Sequence, residues 1–156
     1  MGLDMYLKGK VRFGGGAAEV SVVGKEEPIF EDLKGKVETI EYELGYWRKA
    51  NHIHNWFVTN VQDDIDDQKD YTVTKEQLVE LRQLCKKLLK KKSAREAKEL
   101  LPTTDGFFFG GTEIDKAYWW YVKETLKIVK AAIKFLDAGE ADDSVYDCSV
   151  IYNAWW

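Results

Sequence analysis

The stretch GYWRKANHIHNWFV, residues 45–58, holds both histidines of the chain and two of its six tryptophans. On a helix each residue turns about 100° from the last, so Arg48, Asn51, His52 and Asn55 project from one side with Thr59 beyond them. Tyr46, Ala50, Ile53 and Phe57 recur at intervals of three and four and mark the buried side. A merely solvated face favours lysine and glutamate, which are good helix formers. Asparagine and histidine are poorer formers but offer directional donors and acceptors. The chemistry they suit is recognition of a polar, anionic ligand, with Arg48 forked onto a phosphate or carboxylate and Trp47 and Trp56 supplying flat faces for a ring. Structural hydrogen bonds to neighbouring loops would use the same residues, and both readings stay open here.

The His-x-His spacing invites a metal, but residues two apart on a helix point about 160° away from each other and cannot share one ion. His54 lies beside the apolar side and reads as a satisfied core histidine. His52 faces the polar side, where an imidazole can serve as a proton donor or as a simple hydrogen-bond partner.

Further along, GFFFGGTEID sets two glycines and Thr112 before a predicted helix, where free backbone amides can hold a phosphate. The spacing matches neither a Walker loop nor a dinucleotide fingerprint, and Glu113 and Asp115 can satisfy the helix terminus instead. Phe107, Phe108 and Phe109 read as core. The DDIDDQKD run lacks the glycine and the closing glutamate of a calcium loop, which leaves a solvated acidic loop. The basic stretch from Arg82 to Lys98 reads as a solvated helix end rather than a nucleic-acid contact. Trp119, Trp120, Trp155 and Trp156 add an aromatic excess that suits an interface, a stacking pocket or a crowded core.

The elements that must position these groups follow from periodicity. Leu3, Met5 and Leu7 alternate with polar neighbours in a first strand, and Ile40, Tyr42 and Leu44 do so in a second that runs into Gly45. Between them, residues 10–36 contain GGG and Pro28 and read as a hairpin or a mobile insertion. TKEQ, starting at Thr74, is a capping box for a helix with Leu78, Leu81, Cys85 and Leu88 on its buried stripe. SAREAKELL is a short helix stopped by Pro102. Thr112 is expected to cap a long helix with the stripe Tyr118, Val122, Leu126, Val129, Ile133 and Leu136. Tyr146, Cys148, Val150 and Tyr152 alternate in a closing strand. The order implies an α+β fold, with about three main helices packed on one face of a small, mostly antiparallel sheet.

A chain of 156 residues that is 45% hydrophobic can build a single domain without disulfides or metals. A net charge of −4 argues against a general nucleic-acid binder. Two distant cysteines fit reduced thiols, and no apolar run reaches the length of a bilayer span, so neither secretion nor membrane insertion is expected.

In combination, MGLDMYL, GYWRKANHIHNWFV, LPTTDGFFFGGTEID and the terminal VIYNAWW resemble a family of small uncharacterised proteins commonly encoded by bacteriophages and prophages. The likeness spares only the segment from about 10 to 36, and it brings no established catalytic residues with it. It implies a phage protein acting in the bacterial cytoplasm, where such accessory proteins often counter host defence. The expectation is therefore a non-enzymatic binder, without cofactor, that sequesters a nucleotide-like host signalling molecule. Its ligand-binding residues would be Arg48, Asn51, His52, Asn55, Trp47, Trp56 and Thr112. One alternative is a protein-binding inhibitor of a host defence or metabolic enzyme. Another is a hydrolase using His52 with a carboxylate from the second strand or the acidic loop. The surplus of large aromatics also predicts a homo-oligomer joined through the C-terminal strand or the Trp119–Trp120 helix.

Overall fold

The computed structural model describes residues 2–14 and 38–156. Its elements run β1 (Asp4–Phe13), β2 (Thr39–Arg48), α1 (Asn51–Val61), β3 (Tyr71–Val73), α2 (Lys75–Lys91), α3 (Ala94–Leu100), α4 (Lys116–Glu140) and β4 (Val145–Trp155). The four strands form an antiparallel sheet in the order β2-β1-β4-β3, and with four helices the fold is α+β.

Alternation in β1 buries Met5, Leu7 and Val11, with Leu3 just before the strand also buried, while Asp4, Tyr6, Lys8 and Lys10 are only half-buried. The long helix α4 packs against β1, β2 and β4, and α2 packs along α4. Close approach of α4 to β2 requires Gly45, because a Cβ there would collide with the Ile128 side chain. Trp47 is buried in this seam and donates its indole N–H to Thr125 Oγ1 at 2.9 Å. On the other side of the core, the rings of Phe57 and Tyr152 stack with centroids 3.9 Å apart.

Helix α2 starts where its capping box lies: Thr74 Oγ1 accepts from the Gln77 amide, and the Gln77 side chain accepts from the Thr74 amide. Lys75, in its first turn, pairs with Asp137 and Glu140 in the last turns of α4, so the two helices run antiparallel.

Five expectations change. The period that places Tyr46 on a helix belongs to a strand, because β2 continues through Trp47 and Arg48, which pair with Met5 and Asp4. The break comes at Lys49, whose φ of 59° is left-handed, and α1 begins only at Asn51. At the first inter-strand segment, residues 10–13 extend β1, while the expected hairpin or mobile insertion from 15 onward lies outside the described residues. Thr112 does not cap α4: Asp115 does, accepting through Oδ1 from the amides of Ala117 and Tyr118. GFFFGG is an irregular turn, and Phe107 is 95% exposed rather than core. Finally, the three-residue β3 emerges from what reads as loop, paired with β4 and anchored by the buried Val73.

Candidate functional site: a cavity at the β2–α1 hinge

The left-handed turn at Lys49 brings the end of β2, the start of α1, the loop 103–111 and the N-terminal turns of α4 around one cavity of about 290 Å³. Its floor is aromatic. The His52 ring stacks on Tyr118 with centroids 4.1 Å apart and lies edge-on to Tyr121 at 6.0 Å. Lys49, the acidic pair Glu113 and Asp115, and the glycines Gly110 and Gly111 also line the cavity. Gly110 has φ of +89° and sits against the Lys49 side chain and carbonyl, a place where a β-carbon would be both strained and crowded.

Asn51 holds the loop in this shape. Its Nδ2 donates to the carbonyls of Phe109 at 3.1 Å and Gly111 at 2.9 Å, and its Oδ1 accepts from the Thr104 amide at 3.3 Å. The side chain is buried. Its role is thus to satisfy loop backbone groups that would otherwise be stranded.

His52 differs from every other polar group here. It is only 3% exposed, yet Nε2 has no hydrogen-bond partner. Burial pushes its pKa down to about 3, so the ring is neutral at physiological pH. A neutral imidazole offers one donor and one acceptor, and leaving one of its nitrogens buried without a partner costs about 1–3 kcal/mol. Burial also raises the pKa of Tyr118 and Tyr121, which therefore remain uncharged hydroxyls. Tyr118 donates to the Leu101 carbonyl, and Tyr121 to the Arg48 carbonyl.

His54, two residues on, is fully occupied. Its Nδ1 lies 2.7 Å from the Tyr152 hydroxyl and its Nε2 3.0 Å from Asp66 Oδ1. The neutral tautomer with its proton on Nε2 satisfies both contacts, accepting from Tyr152 and donating to Asp66. Burial lowers the His54 pKa, with Asp66 opposing the shift. The hydroxyl–imidazole–carboxylate order has the outline of a catalytic relay, but Tyr152 is fully buried and no reactant can reach it. Cys85 is equally enclosed, its thiol pushed up to about 12 by burial.

Of the seven residues singled out in the sequence, His52 alone lines the cavity, with Asn51 shaping it from behind. Arg48 ends β2 and is exposed, its Nε 3.8 Å from Asp4, whose carboxylate also accepts from the Tyr46 hydroxyl. Asn55 is half-buried and lines no part of it. Trp47 and Trp56 belong to the core and offer no free ring face. Thr112 is exposed, and its carbonyl accepts from Thr103 Oγ1. Lys49, Tyr118 and Tyr121 complete the site without having been singled out. Tyr118 follows the buried stripe of α4, and Tyr121, three residues on, is the one local signal that could have marked an aromatic wall.

Among the described residues, no group of three or more His, Cys, Asp or Glu side chains is placed to hold a metal ion, and no helix is long and apolar enough to cross a membrane. Comparison with known families, curated proteins and solved structures gives no match for this chain.

Proposed function

We propose that the protein is a non-enzymatic binder, a phage accessory protein of the bacterial cytoplasm that sequesters a nucleotide-like host signalling molecule in the His52 cavity. The observation that carries this reading is a neutral, buried imidazole nitrogen without a partner, on a side chain that lines a cavity beside two tyrosine rings. A base or nucleoside brings a flat ring that suits the aromatic side of the cavity, and its hydrogen-bonding edge reaches the enclosed Nε2 once neighbouring side chains part. The volume, about 290 Å³, stands at the lower edge of the roughly 300–1,000 Å³ typical of ligand pockets. Lys49 can pair with one anionic group, whereas Glu113 and Asp115 repel a chain of phosphates. The favoured ligand is therefore a nucleoside or a cyclic mononucleotide rather than a triphosphate.

Hydrolysis through His52 fits poorly. A base whose conjugate acid has a pKa of about 3 is a weak proton acceptor at neutral pH. A protein-binding inhibitor draws on Phe107 and Trp155, exposed at 95% and 55%, as anchors for a partner.

The test is native mass spectrometry of freshly purified protein, followed by thermal shifts with nucleosides, cyclic mononucleotides and triphosphates. A fitting ligand at a hundredfold excess over its Kd should raise Tm by roughly 5–10 °C and be recovered intact after denaturation. No retained molecule and no shift with any of these compounds would overturn the proposal. So would a triphosphate that binds best.

A further inference from the structure

A second concavity lies about the joint between the C-terminal end of α2 and the first turns of α4, on residues the His52 site does not use. It is lined by Leu89, Lys92, Lys116, Trp119, Trp120 and Lys123 and encloses about 260 Å³. Three cations and two indoles meet there without a carboxylate. None of the three lysines makes an ion pair among the described residues, although Lys75, Lys91 and Lys127 on the same two helices all do. Trp120 is 56% exposed, an arrangement that leaves a large apolar ring in water.

The site does not stop at the groove. Lys116, Trp120, Lys123, Lys127, Lys130 and Lys134 follow one another at steps of four and three, so they line one side of α4, and all are exposed. From Lys116 to Lys134 that row extends about 27 Å at 1.5 Å per residue. On α4 itself Glu124 is the one acid between Lys116 and Lys134, and Lys127 neutralises it at 2.7 Å; Asp115, just before the row, caps the helix by accepting from the amides of Ala117 and Tyr118. Asp137 and Glu140 lie beyond the row and are bound to Lys75. On α2, Arg82 precedes Leu89 by seven residues and so shares its flank, and its buried Nε has no partner.

We infer that this groove and the lysine row leading from it bind single-stranded nucleic acid, with a base stacked on Trp120 and the phosphates following the row along α4. A track of single-sign charge longer than one nucleotide matches a strand. A free indole beside it supplies the sequence-tolerant contact that a charged row alone lacks. Overall negative charge is no obstacle, because the field that a strand meets is local. The acids of the chain concentrate elsewhere, as in the loop from Asp63 to Asp70.

The test titrates the full chain with fluorescein-labelled oligothymidylate and follows anisotropy and tryptophan quenching, against duplex DNA of equal length, heparin and thymidine monophosphate. Expected is preferential binding of the single strand, with log K falling against log salt at a slope of about −3.5, for about five phosphates neutralised by Lys92, Lys116, Lys123, Lys130 and Lys134. Trp120→Ala should weaken it by about 5- to 150-fold, the range of one stacked base. Lys116→Glu combined with Lys123→Glu should both weaken binding and flatten the salt slope. All these changes are at exposed positions, and circular dichroism checks that the variants fold. Absence of binding overturns the inference. So does equal affinity for the mononucleotide, or a heparin affinity equal to the strand's together with an unaffected Trp120→Ala. Small-molecule thermal shifts are read on the unaltered protein, so this result and that for the His52 cavity fail separately.

Discussion

His52 and His54 stand two residues apart on one helix, both almost excluded from water and both held neutral by burial. They nevertheless belong to different parts of the molecule. His54 points to the sheet side, where Tyr152 and Asp66 occupy both of its nitrogens. His52 lines a cavity and keeps a buried nitrogen unpartnered. Burial does not separate scaffold from site here. The balance of donors and acceptors does, because a protein that only needed to fill space at residue 52 would do better with an apolar ring.

The largest expected effect falls on the satisfied histidine. His54→Ala removes a packed ring and strands the Tyr152 hydroxyl in the core, which should cost about 3 kcal/mol of unfolding free energy in urea. Tyr152→Phe keeps the ring and deletes only the hydroxyl, so its cost should be smaller, about 1–2 kcal/mol. If His54→Ala were as mild as Tyr152→Phe, the three-group chain would not be structural and the contrast between the two histidines would collapse.

Much of this contrast was hidden from the sequence for identifiable reasons. Helix α2 is legible because its determinants are local: a Thr74–Gln77 box and a stripe from Leu78 to Leu88. The alternation that marks β1 and β4 is equally local. Helix α1 is misread because Tyr46, Ala50, Ile53 and Phe57 keep a helical period across a strand end that only pairing with β1 reveals. That error turns Arg48 and Trp47 into members of a face they do not share. His54 as a core histidine follows from its neighbours on the apolar side. The cavity does not, because Lys49, Gly110 and Tyr121 lie far apart in the chain and converge only once α4 packs on β2. Asn51 emerges as a loop organiser, the hydrogen-bonding alternative that the sequence left open.

Acid titration sharpens the comparison at intermediate magnitude. In the unfolded chain both histidines titrate near 6.5, while in the folded chain both pKa values are lowered. The unfolded state therefore binds more protons below pH 6.5, and stability is lost as pH falls from there towards the folded values. With a folded pKa of about 3, His52 should account for a loss of about 2 kcal/mol by pH 5. His54 adds to the loss in the same direction, moderated by Asp66. Ordinary carboxylates titrate below this window, so urea midpoints between pH 6.5 and 5 report mainly the histidines. A flat profile would mean that both rings are reached by water in the folded protein.

The smallest effect on stability is the most informative about function. His52→Phe preserves a ring against Tyr118 and removes the buried nitrogen that has no partner. A buried polar atom without a partner is a cost, so the variant should be as stable as the original chain or more so, by up to about 1 kcal/mol. It should also lose the part of the acid sensitivity that His52 contributes, leaving only that of His54. Thermal shifts with nucleosides or cyclic mononucleotides should vanish in the same variant, since the group that would bond the ligand edge has been removed. A stabilised variant that no longer responds to ligand is what a binding residue predicts. If His52→Phe instead unfolds the protein as readily as His54→Ala, the imidazole at residue 52 is scaffold too, and the distinction between the two sides of α1 falls.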